Sequence, residues 1–269
     1  MGLFPPHDSN RFHLETGVRG RGVLPRFRFH LLASRPRFEH AVFTRIGGVS
    51  AAPFDSLNVS HGTGDSPSAV RENRERIRRF MGADRLVVLK QVHGGDVVVL
   101  RREDMDGATQ PLCGDGLVTD VPGTGLVIQQ ADCQAVILFD PVRHIVANVH
   151  CGWRGNVANV LGNAVRVMVE AFQCEPEGVL AGVGPSLGPC CGEFRGHEEL
   201  FPESFRAFEV RNNHFDLWAL SLHQLVEAGL RREHVALARV CTKCRRDLFF
   251  SYRGEGMTGR FATIAMLRV

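Results

Sequence analysis

A chain of 269 residues, 44% hydrophobic and 23% charged, can bury the core of one ordinary α/β domain, and its net charge of +3 is too small to argue for a nucleic-acid partner. It holds no run of about 18 apolar residues, which excludes a membrane-spanning helix. The opening MGLFPPHDSNRFHLE lacks the charged start and apolar core of an export signal, and the eight cysteines lack disulfide-framework spacing, so they read as reduced thiols in a cytoplasmic protein.

Residues 1–36 are rich in arginine (Arg19, Arg21, Arg26, Arg28, Arg35) and read as an N-terminal extension that frays or adds a strand, rather than as an arm for an acidic partner. The remainder, 37–269, reads as one domain without repeats or linkers. It opens with a short strand, His40–Thr44, a Gly-Gly bend and a loop ending at Ser56-Leu57-Asn58. Arg45 beside Gly47-Gly48 can reach into a cleft while the glycines let backbone approach a ligand. Asp65-Ser66-Pro67-Ser68 is a helix start, and the helix runs to about Met81 with Val70, Ile77, Phe80 and Met81 on one side. Its run of Arg and Glu is a solvated face. Two strand-like runs, Leu86–Leu89 and Val97–Leu100, then flank Lys90-Gln91-Val92-His93-Gly94, a bend of the kind that presents functional side chains.

The stretch from Cys113 to Gly155 organises the chain. Its apolar runs Ala135–Phe139 and Ile145–Val149 are bounded by polar or turn residues, as buried strands are. With Pro141 and Val142 at the tip of an antiparallel hairpin, Asp140 faces Arg143, Ile137 faces Val146, and Cys133 faces His150. Directly opposed residues share a face with Cβ atoms about 4.5–5.5 Å apart, which suits two ligands of one metal ion. A one-residue slip would separate them. His144 lies roughly 20 Å away along the strand, so His150 is the partner of Cys133. His93 supplies a third donor. Any one of these residues taken alone is most often structural, but two imidazoles and a thiolate form a recognised catalytic zinc set that leaves one position open.

Downstream, Asn156 to Phe172 has the helical period, and its N-terminus beside Arg154 offers a cradle for a phosphate or a ribose hydroxyl, with Arg154 as a surface salt-bridge former the alternative of equal weight. The strand Gly178–Val183 leads into a stiff loop, Gly184 to Cys191. A helix with apolar positions from Leu217 to Leu230 and strands at Val235–Val240 and Phe261–Leu267 complete the pattern. Cys241-Thr242-Lys243-Cys244 has zinc-knuckle spacing but needs a second pair; Cys190-Cys191 is not a CxxC, so the four read as packing residues.

The segments TRIGGVS (44–50), SLN (56–58), KQVHG (90–94), DGLVTD (115–120), ADC (131–133), HCGWRG (150–155), GPSLGPCC (184–191) and CTKC…FFSYR…TGR (241–260) resemble, in that order, the YfiH family. Its members carry the names laccase-domain or polyphenol oxidase protein and purine nucleoside phosphorylase. The resemblance spans about Phe43 to Arg268. It implies a single-domain, layered mixed α/β fold, with sheets flanked by helices, and a zinc ion on His93, Cys133 and His150. It also implies that Arg45 contacts substrate or phosphate, and that the 184–191 loop borders the cleft. The family often has an aromatic residue after the double cysteine; here that position is Gly192, with Phe194 or Phe201 as substitutes.

The activity implied is phosphorolysis of adenosine, inosine and methylthioadenosine, with deamination of adenosine beside it. The catalytic candidates are His93, Cys133, His150 and Arg45. Arg45 and Arg154 are the phosphate candidates, and Asn58 and Asp132 the ribose or orienting contacts. Zinc there can polarise substrate or lower the pKa of bound water. Copper is an alternative at a His₂Cys site, but a multicopper phenol oxidase needs paired His-x-His motifs, and none of the twelve histidines is two residues from another. A cysteine hydrolase with Cys133 as nucleophile and His150 as base is a further reading, since the family is also linked to peptidoglycan precursor editing. A non-enzymatic binding protein is the last.

Overall fold

The computed structural model describes residues 12–18, 23–105 and 112–268. Two six-stranded mixed sheets lie face to face. The first runs, in spatial order, Phe12–Val18, Val23–Phe29, Phe38–Phe43, Phe261–Leu267, Thr124–Gln130 and Arg85–Val88. The second runs Val235–Leu237, Leu180–Val183, Gln134–Asp140, Ile145–Cys151, Gly116–Thr119 and Val97–Leu100. Antiparallel pairs fill both centres, while parallel pairs lie towards one edge of the first sheet and both edges of the second.

Side-chain alternation sorts three cores. Phe27, Phe29, Leu126 and Phe261 from the first sheet meet Leu117, Ile137, Phe139 and Val146 from the second between the sheets. The opposite face of the second sheet, with Val136, Leu138, Ala147 and Val149, packs on the helix Val160–Phe172 and takes in Leu222 and Leu225 of the helix Leu217–Glu227. The opposite face of the first sheet packs on the helix Pro67–Met81 through Ile77, Phe80 and Met81. Both faces of each central strand are therefore buried, which explains why these strands read as continuous apolar runs.

The hairpin forms with a register different from the expected one. Ala135 faces His150, Ile137 faces Asn148, and Asp140 faces Ile145. Pro-Val is unsuited to a two-residue hairpin tip. The turn instead takes in Pro141 to His144, with His144 left-handed (φ 54°) and Asp140 Oδ1 accepting from the backbone N–H groups of Val142 and Arg143 at 2.8 and 2.9 Å. The shift is two residues, an even number, so Cys133 keeps the face of His150.

The expected helix from Asn156 is two helices, Trp153–Val157 and Val160–Phe172. Asn159 breaks it in a left-handed conformation (φ 51°) and caps the second helix by accepting from Gly162 N–H. Asn156, expected to open the helix and cradle an anion beside Arg154, lies instead inside the first, five-residue helix, which starts at Trp153. The strand Thr124–Gln130 was not foreseen. Of the N-terminal extension, 12–18 and 23–29 pair as a hairpin on the edge of the first sheet, with Phe29 fully buried. Arg26 pairs with Glu15 at 2.7 Å and Arg28 with buried Glu39 at 3.3 Å; Arg19 and Arg21 lie outside the described residues.

One polar side chain pins sheet to sheet. Asn148, fully buried on the second sheet, donates its Nδ2 to the carbonyls of Leu126 and Thr263 on the first, each at 2.9 Å. Asn148→Leu leaves both hydrogen bonds unmade and should lower unfolding free energy by about 1–3 kcal/mol. Urea denaturation followed by tryptophan fluorescence checks this.

Candidate metal centre

The chain crosses from the first sheet to the second through residues 89–96, between the strands Arg85–Val88 and Val97–Leu100. His93 sits on that crossing in a left-handed conformation (φ 60°). Cys133 immediately precedes the strand Gln134–Asp140, and His150 points into the gap from the neighbouring strand. One donor atom from each lies within 4.8 Å of the others, and the two imidazole rings meet edge to face at 4.8 Å. Gly152 permits this closeness, because a Cβ there would lie 2.9 Å from Cys133 Sγ.

Asp115, fully buried at the head of the strand Gly116–Thr119, ties the donors together. Its Oδ1 takes His150 Nδ1 at 2.8 Å and the His93 N–H at 2.9 Å, and its Oδ2 takes the Gly94 N–H at 2.6 Å. Its own carbonyl accepts the His150 N–H. His150 thus donates through Nδ1 and turns Nε2 to the centre, an arrangement in which a carboxylate orients a ligating histidine. Burial pushes the Asp115 carboxyl up, but His150 and the Gly94 and His93 N–H groups outweigh it and hold it below its ordinary value. Burial likewise raises the Cys133 thiol, yet His150 and then His93 bring it down to about 6. His150 is lowered by burial and raised more strongly by Cys133 and Asp115, to about 9. In the absence of a metal the two groups therefore favour each other's charged forms, thiolate and imidazolium. Cys151, on the opposite face, is pushed up by burial and stays a thiol.

Two cavities meet at this centre. One, of about 830 Å³, is cationic, with Arg74, Lys90 and Arg260 in its wall. The other, of about 280 Å³, is walled by Trp153, Phe194 and Tyr252, with Asp132, Arg154 and Arg253 at its polar positions. His93, Cys133 and Tyr252 border both.

The structure brings His93, Cys133, His150, Asp132 and Arg154 to this cleft. Asp132 (φ 92°) accepts from Thr242 and Ser251 hydroxyls at 2.6 and 2.7 Å and from the Arg253 N–H at 2.6 Å, while Arg154 stacks on Trp153 at 4.4 Å. It does not bring Arg45 or Asn58 there. Arg45 donates to Glu255 at 2.7 Å and to the carbonyls of Asp55 and Arg246, over the Phe250 ring. Asn58 is fully buried and bonded on both ends, to Asp65, Thr63 and Ser60 through Nδ2 and to the Arg260 N–H through Oδ1. Gly48 serves approach to the chain itself, since a Cβ there would lie 2.0 Å from the Ser56 carbonyl oxygen. Phe194 borders the cleft; Phe201 packs behind it at 5.1 Å. An aromatic ring at Gly192 would meet the Phe215 carbonyl, 2.9 Å from its Cβ position. Asp115, Tyr252 and Arg260 were missed as site residues: they stood inside quoted motifs, but only the fold shows where they point.

Fold and site together define a layered α/β protein carrying a thiolate–imidazole candidate metal site at one end of the gap between its sheets. A sequence model of the family described as "Multi-copper polyphenol oxidoreductase laccase" matches residues 39–268, and the chain belongs to that family. It is 35% identical over 235 residues to "Purine nucleoside phosphorylase YfiH" of Escherichia coli (strain K12), covering 83% of this chain and 91% of that protein. It is 38% identical over 233 residues to "Purine nucleoside phosphorylase SCO2081" of Streptomyces coelicolor, covering 83% and 93%. The crystal structure of YlmD from Geobacillus stearothermophilus superposes with a TM-score of 0.82 at 28% identity, over 94% of this chain and 99% of that one. The resemblance read from the motifs is borne out.

The charge state of the centre fixes the sign of its pH dependence. A metal needs a thiolate and neutral imidazoles. Between about 6 and about 9 the thiolate is formed but His150 must lose a proton, so zinc affinity should rise about tenfold per pH unit up to about 9 and fall more steeply below 6. Chelator competition across pH measures this; Asp115→Asn should weaken affinity by about 10–100-fold at fixed pH.

Proposed function

We propose that this protein is a purine nucleoside phosphorylase that uses a zinc ion held by His93, Cys133 and His150, with adenosine deamination as a second activity. The observation that carries the reading is the junction: the donor trio sits where a small aromatic-walled cavity opens into a larger cationic one. Stacking of a purine suits Trp153, Phe194 and Tyr252. A dianionic phosphate suits Arg74, Lys90 and Arg260. A nucleoside bridging the two places its ribose beside the trio. The names of the E. coli and S. coelicolor relatives support the same activity.

Two imidazoles and a thiolate with a carboxylate behind one imidazole fit zinc, which when bound supplies Lewis acidity at neutral pH. The chain's own residues do the rest. Asp115 keeps the His150 ring fixed and its Nδ1 protonated. Arg260, held by the carbonyls of Thr258 and Gly259, presents positive charge to phosphate from a partly buried position where it is weakly screened. Arg154 offers a second cation from the aromatic side. Copper-based phenol oxidation lacks support, because the described residues hold no histidine cluster for further copper centres.

One observation favours a second reading. Cys133, His150 and Asp115 stand in line as nucleophile, base and orienter, with the thiol lowered to about 6, which is the layout of a cysteine amidohydrolase. Substrate analysis separates the two. Purified protein of known metal content, given adenosine and phosphate, should yield adenine and ribose 1-phosphate, and inosine if it also deaminates. Cys133→Ala should yield neither. Arg260→Gln should raise the KM for phosphate by about 10–100-fold while the KM for nucleoside holds. Amide turnover that survives chelation and is abolished by iodoacetamide would replace the phosphorylase reading with the hydrolase one.

A further inference from the structure

The fold gathers a second set of metal-type donors that the function above does not use. Cys190 and Cys191 end the 184–191 loop, and Cys241 and Cys244 lie fifty or more positions on, yet all four sulfurs lie within 4.8 Å of one another. Cys244 Sγ stands 3.6 Å from both Cys190 Sγ and Cys191 Sγ. Four thiolates around zinc, at a bond length of about 2.3 Å, have sulfur–sulfur edges of about 3.8 Å. A disulfide needs about 2.0 Å. The spacing is that of ligands around one ion.

Backbone geometry builds the cluster. Ser186 bridges Cys241 in parallel register, with the Ser186 N–H bonded to the Val240 carbonyl at 3.1 Å and the Thr242 N–H to the Ser186 carbonyl at 3.0 Å. The Cys191 N–H then closes a turn on the Gly188 carbonyl at 2.9 Å, and within this turn two adjacent cysteines reach one centre. The backbone N–H groups of Gly188 and Cys244 both approach Cys241 Sγ. Glycine is required at 188, where a Cβ would lie 2.6 Å from the Trp218 ring and 3.1 Å from the Cys241 Cβ. Arg211 donates to the Cys190 carbonyl at 2.8 Å and brings a cation to the rim.

We propose that Cys190, Cys191, Cys241 and Cys244 form a structural site for one zinc ion that staples the 184–191 loop to the 241–244 segment. With four protein donors the site is closed to substrate, so its task is positional. Binding releases the thiol protons to solvent and changes no oxidation state. The staple stands directly behind the cleft: Thr242, inside the CTKC turn, donates to Asp132, whose carbonyl takes the Leu187 N–H at 2.8 Å, and Asp132 precedes Cys133. Ser186 and Leu187 border the smaller cavity themselves.

The test reads metal and thiols, not activity. In His93→Ala/Cys133→Ala protein, about one zinc per chain should remain, and cobalt loading should give the intense charge-transfer bands of a four-thiolate tetrahedral ion. Adding Cys190→Ser and Cys244→Ser should abolish both. In the unmutated chain, mass-spectrometric mapping of iodoacetamide adducts should show all four cysteines protected until a strong chelator is added, whatever happens at Cys133; this reading needs no variant to fold. The proposal is overturned if the His93/Cys133 variant retains no metal, if its cobalt spectrum lacks thiolate charge transfer, or if the four cysteines label freely or occur as disulfides in reduced-handled protein. None of these outcomes depends on which nucleoside, or amide, the enzyme turns over.

Discussion

The site depends on one buried carboxylate. Asp115 has no exposed surface, and a carboxylate taken out of water without partners is costly. Here its partners are the very groups the site must hold: His150 Nδ1 from one strand, and the N–H groups of His93 and Gly94 from the crossing between sheets. The crossing is irregular backbone, and His93 stays left-handed because those N–H groups are fixed on Asp115. One residue therefore sets the tautomer of one imidazole and the position of the other. Cys133 is placed separately, by the strand that follows it and by Asp132 before it.

How much of this was legible in the sequence follows from what kind of contact each feature uses. Strand and helix cores were readable because burial writes itself locally, as in Phe261–Leu267 or the Pro67–Met81 helix. The Cys133–His150 pairing was readable because it needs only parity, which survived a turn two residues longer than expected. The helix break at Asn159 was not, since a single left-handed residue leaves no mark on the hydrophobic period. Arg45 looked like a ligand because it stands beside Gly47-Gly48 in a motif the family resemblance assigns to substrate, and Asn58 because it is a polar residue ending the loop that follows. Glu255, which holds Arg45, lies some two hundred positions away; Asn58 is taken up by its neighbours Ser60, Thr63 and Asp65 as well as by the distant Arg260 N–H, and residue type and spacing alone do not announce that a polar group is already bonded. The four-cysteine cluster fails for the same reason: its halves are brought together by one parallel bridge at Ser186 and Cys241. Asp115 was hidden in plain view, because an Asp-Gly pair reads as a turn.

The same architecture explains why the site lies where it does. Two sheets with both faces covered leave little room for a cleft except where the inter-sheet gap opens at its end, and His150 is the inward residue of its strand nearest that opening. Farther in, the same face carries Asn148, bonded across to the first sheet, and Val146 in the core. His150 comes from a strand and Cys133 from the residue before one, while the cavity walls come from the segments 60–62, 89–94, 184–194 and 252–260 together with Arg74 of the helix Pro67–Met81 and Trp153 and Arg154 of the helix Trp153–Val157.

That division has a consequence for how the cleft is held to tolerance. Asp132 adopts φ 92°, a conformation unfavourable for a side chain with a Cβ, and it persists because three donors from the C-terminal segment converge on its carboxylate: Thr242, Ser251 and the Arg253 N–H. Displacing that segment by even an ångström would release Asp132 and with it the backbone leading into Cys133. Tyr252 and Arg253, which border the cavities, lie on the same segment, as does Glu255, which holds Arg45. The C-terminal loops thus set both the position of a candidate ligand and the shape of the cavity beside it, so a change in either is transmitted to the other through the Asp132 carboxylate.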